Sequence, residues 1–392
     1  MLRVACFTHY AELYGANRSM LEWMEELCRR QELAPLVLIP RDGPFTAELE
    51  RQGIPFEVIP FQPWFSERPY SGRVHHRVRQ FLGYRKAARD RERKDRSLLP
   101  AMIERVKQHR AQVIVSNSAA VRAGHWVAAG SGLPHVWHIR EMPERHYGLH
   151  LDAGRVVYGK ALANASLIVA ISKAVEADVH RYAGDRVRIE VVPNGVLRSQ
   201  RYTELRDRMK ARPAHASFVF LMVGLIHESK GQLEAVSALH RLVQDGMDVH
   251  LIIAGGGKAG RLKERIDQLG LEDRVTLSGF VEDVFSLYER ADALISASRN
   301  EAFGRVIVEA MACGLPVIGH DSGGTPELVL HGRNGSLYDG SVEALAACMR
   351  ELAGDRERAR ELGAAGHTFV SERFSVERTA ERMKQLLEEV CT

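Results

Sequence analysis

Short runs of consecutive apolar residues alternate with helical patterns along almost the whole chain. Runs such as Phe218–Val223 and Leu251–Ala254 are continuously apolar, which is typical of parallel strands that are covered on both faces. Helical stretches such as Arg18–Arg30 and Gly231–Gln244 lie between them. This alternation predicts an α/β fold built from doubly wound, Rossmann-like parallel sheets.

The apolar runs form two series. The first comprises Arg3–Phe7, Pro35–Ile39, Pro55–Ile59, Gln112–Ser116, His135–Ile139, Leu167–Ile171 and Arg188–Val192; the second comprises Phe218–Val223, Val249–Ala254, Arg274–Leu277, Ala293–Ala297 and Pro316–Gly319. Between them, Pro193-Asn194-Gly195 has turn chemistry, and the polar stretch 197–217 has no strong apolar period. We predict an N-terminal domain over 1–197, a C-terminal domain over 198–373, and a final helix over 374–392 that packs back toward the first domain.

Composition restricts the class of protein. The chain has 392 residues, of which 45% are hydrophobic and 27% are charged, an ordinary globular balance. No run approaches the roughly 18 apolar residues that a membrane helix needs, and the first ten residues lack the core of a signal peptide. Five scattered cysteines argue against a disulfide framework. A cytoplasmic location is therefore expected.

The net charge of +4 is unevenly distributed, because residues 73–110 contain 13 lysines and arginines against four acidic residues. Val78, Phe81 and Leu82 have helical spacing, which indicates an amphipathic helix over 73–96. Two interpretations stay open: a solvated helix face, or a surface that contacts an anionic membrane.

The most informative segment runs from Arg299 to Val329. Glu301 lies in a loop, Glu309 follows eight residues later inside a predicted helix, and Phe303-Gly304 should place backbone amides at the start of that helix. Such amides and the helix dipole favour oxygen-rich or anionic ligands. One carboxylate can bind sugar hydroxyls and the other a ribose diol. Gly323-Gly324 would allow a ligand to approach the backbone closely.

This segment closely resembles the E-x7-E region of retaining family-4 glycosyltransferases, which have the two-domain GT-B fold with both domains facing a cleft. The resemblance continues along nearly the whole chain. The further motifs are the N-terminal glycine loop Tyr14-Gly15-Ala16-Asn17, His138 in HVWHIRE, Ile171-Ser172, the interdomain Val192-Pro193-Asn194-Gly195-Val196, the phosphate loop at 223–232, and Ser278-Gly279-Phe280-Val281. The first loop and the HIRE strand look like those of enzymes that build bacterial surface polysaccharides.

The resemblance implies roles for individual residues. His138, Glu301 and Lys230 form the catalytic set, with Lys230 on the donor diphosphate and His138 on the sugar. The donor site comprises Gly15, Ala16, Gly224, Lys230, Val281, Glu301, Ala302, Phe303, Gly304, Arg305 and Glu309. Asn17, Arg140 and Glu141 are assigned to the acceptor.

One position departs from the family pattern. The family usually has an arginine directly after the glycine of the phosphate loop, but here Leu225 follows Gly224. One positive charge on the leaving phosphate is therefore missing, which would weaken leaving-group stabilisation. His227 and Arg305 are the candidate substitutes.

Other nucleotide and metal sites are not supported by the sequence. Residues 255–260 fit G-x-G-x-x-G, but the next predicted strand ends without an acidic residue for a ribose diol, which argues against NAD. The chain has no P-loop motif, no Asp-x-Asp and no cluster with metal-ligand spacing. We expect no metal, no other cofactor and no nucleic-acid partner.

The sequence thus predicts a retaining, metal-independent glycosyltransferase. It would move a sugar from a nucleotide-sugar, with UDP or GDP favoured, to a glycan or lipid-linked acceptor of a bacterial surface polysaccharide such as O-antigen, capsule or exopolysaccharide. The enzyme would be peripheral on the inner face of the cytoplasmic membrane. Two alternatives stay open: another GT-B enzyme, such as a nucleotide-sugar epimerase or a phosphorylase, or a glycosyltransferase-like protein that binds without turnover.

Overall fold

A computed structural model of the chain describes residues 1–67, 74–146, 148–210 and 216–392. These residues divide into two compact units. Met1–Gly195 and Val376–Thr392 make up the first unit, and Val196–Ser375 make up the second. The chain passes from one unit to the other within the Pro-Asn-Gly-Val motif, and it returns to the first unit directly after Ser375.

The first unit contains nine strands and eight helices among the described residues. In chain order these are β1 (Leu2–Phe7), α1 (Gly15–Arg29), β2 (Leu33–Ile39), α2 (Pro44–Arg51), β3 (Phe56–Val58), β4 (Phe65–Ser66), α3 (Val74–His109), β5 (Val113–Ser116), α4 (Arg122–Ser131), β6 (His135–Ile139), α5 (Pro143–His146), β7 (His150–Leu151), α6 (Arg155–Ala163), β8 (Leu167–Ala170), α7 (Lys173–Ala183), β9 (Ile189–Val191) and, after the second unit, α16 (Val376–Glu389).

Seven of these strands form one parallel sheet in the order β3-β2-β1-β5-β6-β8-β9. Both faces of the sheet are buried, because Val4 and Cys6 of β1 belong to one apolar cluster whereas Ala5 and Phe7 belong to another. The predicted doubly wound sheet is confirmed. Its strand order reverses between β1 and β5, where such sheets bind ligands.

Helix α16 completes the core of the first unit. Met383 and Leu387 are fully buried in the same apolar cluster as Trp23 of α1. Lys384 Nζ also donates to Glu32 Oε1 at 2.8 Å. The last helix is thus held by an apolar stripe and by a polar contact at its edge.

The basic segment forms helix α3 over residues 74–109, and Arg110 follows the helix. Residue 73 and the side chains of residues 74–78 lie outside the described residues. Two features here went unpredicted. The helix continues past 96 to His109 although Pro100 lies inside it, and β4 and β7 form a small antiparallel sheet. Among the described residues, no helix is both long and apolar enough to cross a membrane.

The second unit contains six strands among its described residues. Its elements are α8 (Ser199–Lys210), β10 (Phe218–Val223), a 3-10 turn (Glu228–Lys230), α9 (Gln232–Gln244), β11 (Val249–Ala254), α10 (Gly260–Gln268), β12 (Val275–Gly279), α11 (Phe285–Tyr288), β13 (Ala293–Ser296), α12 (Arg305–Ala312), β14 (Val317–His320), α13 (Thr325–Leu328), β15 (Gly335–Tyr338), α14 (Val342–Gly354) and α15 (Arg356–Ser371). The parallel order is β12-β11-β10-β13-β14-β15, so the strand order reverses between β10 and β13.

The polar stretch 197–217, which showed no strong apolar period, contains a helix over residues 199–210, α8, that was not predicted. The helix is polar overall, but Tyr202 and Leu205 are both buried, at 2% exposure each. The Tyr202 hydroxyl also donates to the Phe374 carbonyl at 3.0 Å. Two apolar residues three positions apart are too few to produce a clear sequence period, yet they are enough to dock the helix.

Candidate active site

The candidate site of the second unit lies where its strand order reverses. Strands β10 and β13 are direct parallel neighbours, so the loops that follow them leave the same edge of the sheet. The loop after β10 carries Lys230, and the loop after β13 carries Glu301. The sequence-predicted phosphate loop and acidic loop therefore meet at the position where an open α/β sheet binds its ligands.

Lys230 and Glu301 form an ion pair, although 71 residues separate them in the chain. Lys230 Nζ donates to Glu301 Oε2 at 2.6 Å. The two side chains are 23% and 18% exposed, so the pair is partly shielded and still reachable from solvent. A cation and a carboxylate held side by side can serve a phosphate and a sugar hydroxyl of one ligand.

The shape of the acidic loop is fixed by contacts that the sequence does not reveal. Asn300 has a positive φ of 53°, and its backbone N–H donates to Ser322 Oγ at 2.9 Å. The Gly324 N–H donates to the Glu301 carbonyl at 2.7 Å. A Cβ at Gly323, where φ is +60°, would lie 2.4 Å from that same carbonyl. The Gly-Gly pair therefore makes room for the acidic loop, and the close approach of a ligand to these glycines stays a prediction.

Glu309 lies on α12 and is 7% exposed. The Tyr288 hydroxyl donates to Glu309 Oε2 at 3.1 Å, and Arg305 Nε lies 3.7 Å from Glu309 Oε1. Burial, followed by the charge of Glu309, raises the pKa of Tyr288 well above its ordinary value. Tyr288 thus stays a hydrogen-bond donor and orients the carboxylate, a role that sequence reasoning missed.

Residues 302–304 connect the acidic loop to α12. Ala302 and Phe303 are buried, and the Phe303 ring packs on Phe374 at 5.7 Å between centroids. Gly304 is the N-cap residue of α12. The side chains of this segment therefore anchor the loop, whereas the backbone N–H groups of Phe303 and Gly304 come before the first helical turn, at the positive end of the helix dipole.

The phosphate loop is held against the glycine run at 255–257. A Cβ at Gly255 would lie 1.8 Å from the Gly224 carbonyl, and Ile226 pairs with Gly257 in an isolated bridge. The G-x-G-x-x-G match is thus explained by close packing of two loops. Leu225 is 59% exposed.

The two candidate substitutes for the missing arginine already have other partners. His227 Nδ1 accepts from the backbone N–H of Ser229 at 3.2 Å, and Arg305 lies beside Glu309. Val281, predicted to bracket the base, follows β12 and is partly exposed, next to Phe280, which is 82% exposed.

In the first unit, the loops after β1 and β5 meet at the reversal of its strand order. Gly15 and Ala16 begin α1, as predicted for a glycine loop. Asn17 is fully buried, and its side chain bonds to Thr8 Oγ1 and to the carbonyls of Tyr10 and Glu12. The Asn17 amide therefore shapes this loop, and its hydrogen bonds leave it little capacity for an acceptor.

His138 and Arg140 form one buried cluster. Arg140 donates to Asn117 Oδ1 at 2.6 Å and to Asn194 Oδ1 at 2.5 Å, and its Nη2 lies 3.2 Å from His138 Nδ1. Burial and the Arg140 charge lower the pKa of His138 well below its ordinary value, so the imidazole is neutral near pH 7. Within the described part of the chain, no group hydrogen bonds to His138 Nε2.

Glu141 lies next to this cluster. Its Oε1 accepts a short hydrogen bond from Ser118 Oγ, on the loop after β5. Burial raises the pKa of Glu141, and the Ser118 hydroxyl and the Arg140 charge oppose that rise. Three sequence-predicted residues, His138, Arg140 and Glu141, are thus brought together with Asn117 and Ser118, which were not predicted.

Among the described residues, no group of three or more His, Cys, Asp or Glu side chains is arranged to hold a metal ion. The expectation that the reaction needs no metal stays a prediction.

Known proteins resemble both halves of the chain. The profile described as "Glycosyl transferase 4-like domain" matches residues 14–195, and the profile described as "Glycosyl transferases group 1" matches residues 205–389. D-inositol 3-phosphate glycosyltransferase from Paenarthrobacter aurescens is 30% identical over 317 residues, which cover 72% of this chain and 76% of that protein.

Two further comparisons are more distant. N-acetyl-alpha-D-glucosaminyl L-malate synthase from Bacillus anthracis is 26% identical over 58% of this chain and 61% of its own length, so the match spans less than two thirds of that relative. The structure of HepE from Anabaena in complex with UDP shares the fold, with a TM-score of 0.77 and 24% identity over 99% of this chain and 100% of that one.

Two doubly wound units with the fold of HepE, matched by two glycosyltransferase profiles, define a GT-B glycosyltransferase. The chain belongs to the family-4 glycosyltransferases. The retaining outcome implied by the sequence resemblance is consistent with that membership.

Proposed function

We propose that the chain transfers a sugar from a nucleoside diphosphate sugar to an acceptor hydroxyl with retention of anomeric configuration and without a metal. The observation that carries this proposal is the Lys230–Glu301 pair at 2.6 Å, positioned where β10 and β13 end. Lys230 would bind the diphosphate. Glu301 and the amides of Phe303 and Gly304 would bind the transferred sugar, and Glu309, oriented by Tyr288, would bind the ribose diol.

The pair explains how one site can serve both parts of the donor. When a donor binds, its phosphate oxygens would replace the Glu301 carboxylate beside Lys230, and a sugar hydroxyl would replace the ammonium group beside Glu301. Each charge therefore keeps a partner throughout, which limits the cost of desolvation. As the bond from the anomeric carbon to the diphosphate breaks, negative charge grows on the phosphate oxygen, and Lys230 stabilises it.

The acceptor step follows from the family resemblance. The acceptor oxygen would attack the anomeric carbon on the face from which the diphosphate leaves, and the acceptor proton would pass to the departing phosphate oxygen. His138 would stay neutral and offer its Nε2 to the sugar. A neutral imidazole suits hydrogen bonding to a hydroxyl and puts no extra charge next to Arg140.

We infer that UDP is the first donor nucleotide to test, because HepE, which shares the fold over 99% of this chain, was solved with UDP. GDP is the second nucleotide to test. For the acceptor we propose a glycan or lipid-linked intermediate of a bacterial surface polysaccharide, reached at the inner face of the cytoplasmic membrane. Its support is the sequence resemblance of the glycine loop and the HIRE strand, together with the basic helix α3. The exposed Phe81 and Leu82 on that helix favour a lipid surface.

Leu225 favours a second candidate, a protein that binds the nucleotide without turnover, because the site lacks the arginine usual in the family. One experiment separates the two candidates. The protein is incubated with UDP-glucose, UDP-galactose, UDP-N-acetylglucosamine or GDP-mannose and with soluble or lipid-linked glycans, and the released nucleotide and the product are measured. An α-linked product from an α-linked donor supports the proposal. Nucleotide binding with no product on any acceptor supports the second candidate.

A further inference from the structure

The first unit contains a cavity of about 410 Å³ between α3, α4 and α6. Five cationic side chains line it, contributed by Arg85, Arg89, Arg96, Arg122 and Lys160, against the two carboxylates of Glu92 and Asp152. A volume of this size suits a small ligand or a headgroup. None of the residues assigned above to the donor or the acceptor lines the cavity.

The positive charge of the cavity is larger than its two carboxylates suggest. Asp152 is already neutralised by Arg91, whose Nη2 lies 2.5 Å from Asp152 Oδ2 and which does not line the cavity. Asp152 also accepts hydrogen bonds from the hydroxyl groups of Tyr84 and Ser66. Glu92 is therefore the lining carboxylate left to compensate the cations, and the charge of Asp95, a buried residue of α3 outside the lining, also acts on Arg122. Glu92 accepts from Arg96 at 2.9 Å and from Arg122 at 3.3 Å.

Arg122 is the most buried of the cationic side chains that line the cavity. It is 5% exposed, and its guanidinium lies over the rings of Trp126 and Trp64, at 4.1 Å and 5.2 Å from their centroids. Arg96 lies over the same Trp126 ring at 4.6 Å. Stacking on an aromatic ring fixes the plane of a guanidinium group, and the N–H groups at its edge can then donate hydrogen bonds to an oxyanion such as a carboxylate or a phosphate.

This cation is incompletely compensated. Within the described ranges, Arg122 Nε is buried without a hydrogen-bond partner. Arg96 brings a second positive charge to the same tryptophan ring, and Glu92 forms ion pairs with both guanidinium groups. Although Glu92, Asp95 and Asp152 oppose it, burial, together with the Arg96 charge, lowers the pKa of Arg122 below its ordinary value. A buried, partly paired charge is costly, and an anion in the cavity would lower that cost.

The loop that leads into Arg122 also links the cavity to the predicted acceptor residues. Asn117 binds Arg140, Ser118 binds Glu141, and the Ala119 carbonyl accepts from Trp64 Nε1 at 2.7 Å. The lining also includes Val157, which is 48% exposed and follows the more exposed Val156. The loop 117–121 thus connects Arg122 of the cavity to the acceptor residues, and the lining itself reaches an exposed apolar residue.

We propose that this cavity binds a phosphate group of the acceptor, with Arg122 at its base and Arg89 and Lys160 at its sides. This inference rests on the proposed function, because it names a chemical group of that acceptor. A phosphate suits the site because it carries up to two negative charges and several acceptor oxygens. The same chemistry could come from a lipid headgroup or from a soluble sugar phosphate.

The test measures binding of glycerol 3-phosphate and of monomeric dihexanoyl phosphatidic acid by calorimetry, with saturating UDP present to fill the donor site. The test variant is Arg89→Ser with Lys160→Ser, since both side chains are exposed and line the cavity. The matched control is Lys86→Ser with Arg93→Ser, which removes the same charge from exposed positions outside the lining. Arg122 is left intact because its loss would endanger folding.

We expect the test variant to bind the phosphate compounds roughly tenfold more weakly, whereas the control stays within about twofold of the wild type. Dihexanoyl phosphatidic acid that binds more tightly than glycerol 3-phosphate would identify a lipid source, and equal affinities would identify a soluble one. Three results would overturn the inference: no binding of either compound, an equal loss in the control, or glucuronate binding as tightly as phosphate. The affinity of the wild type for UDP is measured in a separate experiment. Failure to bind UDP would refute the proposed function, whereas the binding of phosphate compounds in the cavity would still be judged by the variants above.

Discussion

Replacing Lys230 by alanine should separate the chemistry of the site from the stability of the fold. The substitution removes an ammonium group that lies 2.6 Å from Glu301 Oε2, in a pair that is 23% and 18% exposed. Partly solvated pairs contribute about 1 kcal/mol or less to stability. For a unit of the size of Val196–Ser375, which carries both residues, that corresponds to a fall in melting temperature of roughly 2–4 °C.

The effect on catalysis should be far larger. A preorganised cation or donor that meets charge as it develops is worth about 10²–10³ in rate. We therefore expect Lys230→Ala to lower kcat/KM by about a hundredfold or more, and Glu301→Gln, which keeps the shape of the side chain but removes its charge, to lower it to a similar extent. Because both residues serve one donor, the double variant should lose less than the product of the two single losses.

Initial rates of nucleotide release, measured beside thermal unfolding, test this prediction. Lys263→Ala and Glu264→Gln are matched controls, since both side chains are exposed on α10, and they should leave kcat/KM unchanged. The role assigned to Lys230 is refuted if Lys230→Ala keeps more than about a tenth of the wild-type kcat/KM, because such a loss is too small for a group that stabilises the leaving diphosphate. It also fails if the loss of activity merely follows a loss of folding.

Three further predictions concern the phosphate loop, the last helix and a buried acid. Leu225→Arg should raise donor kcat/KM about tenfold with no loss of stability, because Leu225 is 59% exposed; unchanged kinetics would mean that the site does not need the arginine. Met383→Ala, at a fully buried position, should cost about 2–5 kcal/mol in denaturant unfolding; a smaller loss would show that α16 is weakly held. Burial raises the pKa of Asp95 to about 6, so the folded state binds the proton more tightly than the unfolded chain. Relative to Asp95→Asn, wild-type stability should therefore rise as the pH falls from about 7 to about 4, and a parallel pH profile would contradict this.

Much of the fold could be predicted because the core strands are apolar on both faces. Strands such as His135–Ile139 and Phe218–Val223 agree with prediction to the residue. Elements held by few contacts were missed. Helix α8 is docked by two buried side chains, and β15 (Gly335–Tyr338) needs a glycine against the Val317 carbonyl, where a Cβ would lie 2.2 Å away. Such contacts depend on the tertiary structure and leave no period in the sequence.

The candidate site also combines residues that the sequence identifies with residues that only the structure reveals. Lys230 and Glu301 could be found because loops that follow neighbouring parallel strands carry ligand-binding side chains. The groups that position the site residues could not be found from the sequence. Tyr288 and Ser322 have ordinary sequence surroundings, and only the fold brings them to Glu309 and to the backbone of Asn300. The Asn17 amide, interpreted as an acceptor contact, is buried and hydrogen-bonded within its own loop.

The most direct test of the central claim is the thermal stability of the wild type and of Lys230→Ala with UDP, GDP, ADP, CMP and dTDP, each with magnesium or with a chelator. A ligand that binds only the folded state raises the unfolding midpoint by mass action. We expect a clear rise with one nucleoside diphosphate, UDP first, which the chelator does not reduce and which is largely lost in Lys230→Ala. No rise with any nucleotide, or a rise that needs magnesium or survives the loss of Lys230, would contradict this expectation.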